Sequence, residues 1–149
     1  MAQSTKEAAV LFACTLNAVR SPMAAAMLRH LARGRLYVES AGVKAGELDP
    51  LAVEAMAEIG LEIGKHRPRR FEDLEDGSFD LVITLSPEAQ HKAMELTRTA
   101  ATKVEYWPTI DPTVTEGSRE QRLMAYRMVR DQLMQRLKQR FLAPAAADT

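Results

Sequence analysis

The chain has 149 residues, 46% of them hydrophobic and 27% charged, which is the balance of a soluble globular domain. Its 20 basic and 20 acidic residues cancel, so no global charge points to nucleic acid or to an anionic membrane. The single cysteine excludes an internal disulfide and suits a reducing, cytoplasmic location. The polar start MAQSTKEAA carries no signal-peptide pattern, and no apolar run approaches the roughly 20 residues of a membrane span.

In chain order, one domain is expected over 1–149, with 1–7 and 143–149 frayed. The apolar run Ala9, Val10, Leu11, Phe12, Ala13 reads as a buried strand that leads straight into Cys14. Ser21 suits an N-cap and Pro22 a first helical position for a helix over 22–33, with Met23, Met27 and Leu31 stepping along its buried face. A second strand spans 36–40 and is followed by Ala41 and Gly42. Asp49 and Pro50 open a second helix that Gly60 ends, with Leu51, Ala55 and Ile59 as its apolar stripe. An extended loop carries His66 and the basic run from Lys65 to Arg70, and a helical turn near 71–74 follows. Residues 79–84 make the best central strand, and Ser86 and Pro87 start a helix to about residue 97.

A weaker strand over 102–106 runs into a proline-punctuated loop that holds Trp107 and Asp111. Trp107 either lines the mouth of a site or closes a strand end in the core. Ser118 and Gln121 form a capping box for the last helix, which carries Leu123, Tyr126, Val129, Leu133 and Leu137 to about residue 141. Its arginine-rich outer face reads as solvated. Strands alternating with helices predict an α/β fold: a three-layer sandwich with a four-stranded parallel sheet flanked by helices. Ligands in such sheets bind outside the carboxyl ends of strands.

Cys14 ends the first strand at such a position. A strand-to-helix loop aims backbone N–H groups at one spot, and with the helix dipole these make an anion site. Arg20 adds a planar guanidinium that matches two oxygens of a tetrahedral oxyanion. A thiol in that positive field favours the nucleophilic thiolate. Asp111, also placed after a strand, is the candidate acid for a leaving alkoxide or phenoxide.

The stretch VLFACTLNAVRSPMA resembles the phosphate-binding loop of the low-molecular-weight protein tyrosine phosphatases, whose fold some arsenate reductases share. Their pattern is Cys-x-Gly-Asn-x-Cys-Arg-Ser-Pro. Cys14, Asn17, Arg20, Ser21 and Pro22 match it. Leu16 stands where the family has glycine, which tolerates positive φ, and Val19 stands where many members have a second cysteine. The resemblance implies that Cys14 attacks phosphorus in line. Arg20 and the loop formed by Thr15, Leu16, Asn17, Ala18, Val19 and Ser21 then hold the phosphate oxygens. The Ser21 hydroxyl donates to the thiolate, and Asp111 serves as general acid. Ser40 and His66 support the Asn17 amide.

The activity expected from this resemblance is hydrolysis of phosphate monoesters, phosphotyrosine-type protein substrates among them, through a phosphocysteine, with inorganic phosphate or a similar oxyanion held in the loop. It implies no cofactor and no metal, and the sequence has no metal-ligand cluster. Thr113 follows Pro112 where the family usually has substrate-flanking aromatics. Two alternatives stand beside hydrolysis. One is arsenate reduction with an external thiol, since the chain has no second cysteine for an internal relay. The other is a non-catalytic oxyanion-binding regulatory module.

Overall fold

The computed structural model describes residues 7–75, 77–97 and 101–142. It contains strands β1 (Ala9–Cys14), β2 (Tyr37–Gly42), β3 (Leu81–Thr84) and β4 (Lys103–Tyr106), with helices α1 (Arg20–Ala32), α2 (Pro50–Ala57), α3 (Pro87–Leu96) and α4 (Arg119–Phe141). Short 3-10 turns lie at Phe71–Asp73 and Pro112–Val114. The strands form one parallel sheet in the order β2-β1-β3-β4. The chain leaves β1 toward one edge and β3 toward the other. The carboxyl ends of β1 and β3 therefore flank the topological switch point, where such sheets bind ligands.

Side chains alternate across β1 and so build two cores. Val10, Phe12 and Cys14 join Met23, Met27, Met56, Leu133 and Leu137 under α1, α2 and α4. Leu11 faces the opposite way and packs with Val82, Phe79 and Ala93 beneath α3. These are the three layers that the alternation of elements predicts. Met23, Met27 and Leu28 have no exposure, and burying each such side chain is worth about 1.5–3 kcal/mol.

Local signals place most helix starts. Asp49 caps α2 through Leu51 N, Ser86 caps α3 through Ala89 N, and Ser118 with Gln121 forms a reciprocal capping box on α4. One start differs. The first helix begins at Arg20, with Val19 as the capping residue and no side-chain cap. Ser21 already lies inside the first turn, because its hydroxyl is spent on the loop below. At the amino end, residues 1–6 lie outside the described residues, as do 143–149. Glu7, expected to fray with them, is held by Arg140 at 2.6 Å and faces Lys103 at 3.8 Å.

The arginines of α4 are likewise less free than a solvated face implies. Arg127 and Arg130 grip Glu58, with Arg127 dominant, and hold its carboxyl down at about 2. Arg130 also reaches Ala55 O at 2.7 Å, so these side chains clamp α4 to α2.

Candidate active site

The loop between β1 and α1 is shaped by where its carbonyls go. Cys14 O, Thr15 O and Leu16 O accept from the N–H groups of Val43, Lys44 and Gly46, and Ala18 O accepts from Asp49 N. Val19 O accepts from Met23 N inside α1. The carbonyls thus point outward to a neighbouring segment. A trans peptide sets its N–H opposite its C=O, so the amides of the same loop converge inward as an anion-binding nest. The N-terminus of α1 adds its dipole to that nest.

The left-handed residue in this loop is Asn17, with φ at 54°, and not Leu16 at the family's glycine position. Asparagine tolerates that region far better than leucine does. Leu16 instead stands 46% exposed at the rim. The glycine that matters is Gly42 at the end of β2. A Cβ there would lie 2.8 Å from Asn17 N and 2.9 Å from Leu16 C, so only glycine lets β2 run this close under the loop.

Asn17 is fully buried and every part of its amide is satisfied. Nδ2 donates to Ser21 Oγ and to Ser40 Oγ, each at 2.9 Å. Oδ1 accepts from Arg69 N at 3.0 Å and from His66 Nε2 at 3.1 Å. His66 Nε2 also meets Asn17 O at 3.1 Å. Both partners are carbonyl oxygens, so Nε2 carries the proton. The structure therefore brings Ser40 and His66 together around Asn17. It adds Arg69, whose guanidinium also binds Ser40 O and pairs with Glu39.

That network bears on the thiol. Ser21 Oγ accepts from Asn17 and lies 2.9 Å from Cys14 Sγ, with Ala41 O at 3.5 Å as a second acceptor for its proton. The thiol is 2% exposed, at the floor of a cleft of about 450 Å3. Arg20 and Asp111 line the same cleft. Arg20 Nη1 donates to Thr109 O at 2.9 Å, and Nη2 lies 4.0 Å from Asp111 Oδ2. Asp111 Oδ1 is held by Thr113 N at 3.0 Å and Thr113 Oγ1 at 2.7 Å, so Oδ2 is the oxygen left facing the cleft. Thr113 thus orients the carboxyl group from the position where the family usually has an aromatic.

Neither Trp107 nor the basic run from Lys65 to Arg70 reaches the cleft. Trp107 is buried against Phe12 under the guanidinium of Arg136, so of its two readings the core one holds. His66 and Arg69 lie beneath the loop, and Arg70 pairs with Asp73. Sequence reasoning also left out parts of the cleft wall. Asp49 was legible only as a cap, Ser86 likewise, and Glu47 and Glu88 carried no signal.

Burial, followed by the nearby Arg29 and Arg69, pushes the His66 imidazole below its ordinary 6.5, against the Asn17 hydrogen bond, which raises it. The unfolded chain then takes up a proton that the folded chain resists. Stability is therefore complete above pH 6.5 and is lost as the pH falls from there toward the folded value. Denaturant titrations of wild type and His66→Gln from pH 8 to pH 5 should show the wild type losing stability on acidification and the variant losing less. Parallel curves would remove His66 as the source.

The fold and this arrangement define a parallel α/β protein with a thiol in an oxyanion nest at its switch point. Residues 9–146 match the model of the low molecular weight phosphotyrosine protein phosphatases, and the chain belongs to that family. Among curated relatives, an arsenate reductase of Shouchella clausii is 38% identical over 130 residues, covering 87% of this chain and 91% of the relative. An arsenate reductase of Bacillus subtilis is 32% identical over 130 residues, covering 87% and 92%. A solved low molecular weight protein tyrosine phosphatase from T. tengcongensis superposes with a TM-score of 0.75 at 25% identity, covering 92% of this chain and 99% of that one. The arginine phosphatase YwlE, solved with a phosphorylated active-site serine, gives 0.70 at 28% identity, covering 91% and 93%. The residues described contain no helix long and apolar enough to cross a membrane.

Proposed function

We propose that the protein is a cysteine-dependent phosphatase acting on phosphate monoesters. The observation that carries this reading is the convergence on one cleft of Cys14 with the Ser21 hydroxyl, Arg20 and Asp111 Oδ2. The Cys14 thiolate attacks phosphorus and an S–P bond forms as the ester P–O bond breaks. Asp111 gives its proton to the departing oxygen. Asp111, now a carboxylate, takes a proton from water, which attacks the phosphocysteine. The S–P bond breaks, phosphate leaves and the thiolate returns. Arg20 and the inward amides of residues 15–21 hold the oxygens as charge builds in the transition state.

The curated relatives favour a second reading, arsenate reduction. Arsenate has the shape of phosphate and suits the same nest, but reduction needs two electrons from thiols. Cys14 is the only cysteine, so an external thiol would have to supply the rest. Hydrolysis of para-nitrophenyl phosphate by reduced wild-type protein without added metal tests the first reading. Arsenate with glutathione as the external thiol tests the second. Turnover of the ester supports the phosphatase, and its absence sinks it for this generic substrate. Phosphate binding with neither turnover would leave a binding module.

The cleft wall also bears on substrate class, with either a small ester or a phosphorylated protein as candidate. Among the described residues it carries Glu47, Asp49, Glu88 and Asp111 against the single Arg20, and no aromatic ring. Matched phosphopeptides flanked by Lys or Arg should be turned over several-fold faster than those flanked by Asp or Glu, with the gap closing as salt is raised. Equal kcat/KM at low salt would show that the rim does not select.

A further inference from the structure

Asp49 places a carboxylate in the wall of a cleft that holds Cys14 and Arg20. A carboxylate free to turn there would repel a phosphate dianion and compete for Arg20. The structure ties down both of its oxygens. Oδ1 accepts from Leu51 N at 2.9 Å as the cap of α2. Oδ2 accepts from the Tyr126 hydroxyl at 2.5 Å, across a separation of 77 residues. Asp49 N meanwhile donates to Ala18 O at 3.2 Å, so the same residue also braces the outer half of the loop. Tyr126 stands on the buried face of α4, 2% exposed and part of the main core. Burial first, and then the Asp49 carboxylate, raise its pKa and keep the proton on oxygen.

We propose that Tyr126 is a positioning residue whose hydroxyl holds the Asp49 carboxylate against the cleft wall and so leaves Arg20 and the loop amides free for the incoming oxyanion. The proposal rests on the oxyanion-binding reading of the cleft and deepens it. Tyr126→Phe keeps the ring and removes only the hydroxyl, so the core stays filled. Asp49→Asn keeps a side chain that caps α2 and removes the charge.

Calorimetric binding of inorganic phosphate and kinetics on para-nitrophenyl phosphate, run on wild type, both single variants and the double variant, form the test. Tyr126→Phe is expected to weaken phosphate binding by roughly 3- to 10-fold and to raise KM in proportion, with kcat little changed, since one hydrogen bond that restrains a charge is lost. Asp49→Asn should bind phosphate at least as tightly as wild type. The double variant should return to the Asp49→Asn level, because no charge is left to restrain.

Wild-type affinity in Tyr126→Phe would overturn the proposal. So would a double variant as weak as Tyr126→Phe, since a purely structural role for the hydroxyl predicts no rescue. A wild-type protein that binds no phosphate would overturn the reading of the cleft itself, and this proposal with it.

Discussion

Replacing Cys14 by serine is expected to abolish turnover of para-nitrophenyl phosphate while leaving phosphate binding close to wild type. The argument separates the nucleophile from the cradle. The thiol sits 2.9 Å from Ser21 Oγ at the cleft floor, and in the proposed reaction the oxyanion is held by other groups, Arg20 and the loop amides. Serine is nearly the same size as cysteine, so the site stays packed. Its hydroxyl is a far weaker nucleophile than a cysteine sulfur. Calorimetry with inorganic phosphate and initial rates on the same preparation give both halves of the result. Turnover above one-tenth of wild type would remove Cys14 from the chemistry, and loss of phosphate binding would show that the thiol also shapes the nest.

The second large effect is expected at Asp111. Asp111→Asn should lower kcat on phosphate esters of poor leaving groups by about 10²–10⁴, the usual contribution of a positioned general acid. Para-nitrophenyl phosphate should be affected less, because its phenoxide departs with little help from a proton. The contrast between the two esters is the informative readout. Asn keeps an oxygen for the Thr113 N and Oγ1 donors that now orient Oδ1, so the short turn at Pro112–Val114 stays capped. Equal losses on both esters would make Asp111 a structural or electrostatic partner of Arg20, which lies 4.0 Å from Oδ2. No loss on either would place the acid elsewhere.

The layout of the loop was legible because it is written locally. Cys14, Arg20 and the loop between them lie within one turn-and-helix unit, where backbone direction follows from the strand end and the helix start. The caps at Asp49, Ser86 and Ser118 are local in the same sense, since each side chain meets an N–H two or three residues on. The alternation of short apolar runs with helical stripes was enough to predict a parallel sheet with the thiol at a strand's carboxyl end, and the structure has that architecture.

Resemblance to the family placed Ser40 and His66 near Asn17, and packing brings them there. Where local rules pointed one way and packing another, packing won. Ser21 has the chemistry of a cap, yet its hydroxyl serves Asn17 and Cys14, because a buried amide left unpaired costs more than an uncapped helix start. Leu16 avoids the strain its glycine-like position suggested, because Asn17 takes the left-handed turn beside it.

The sequence by itself determined the elements, their order, the place of Cys14 at a strand end and of Arg20 at the helix mouth. All of these follow from interactions within a few residues, where propensity, capping and hydrophobic period act. Only the tertiary structure decided what faces the thiol across the cleft. Arg20 meets Thr109 across 89 residues of chain, and Asp49 meets Tyr126 across 77. Such pairs depend on how α4 and the loop after β4 settle on the sheet, and that is set by the summed burial of side chains such as Leu133, Leu137 and Trp107. No local pattern encodes that sum, so the acidic wall of the cleft and the hydroxyl that restrains it become visible only in the folded protein.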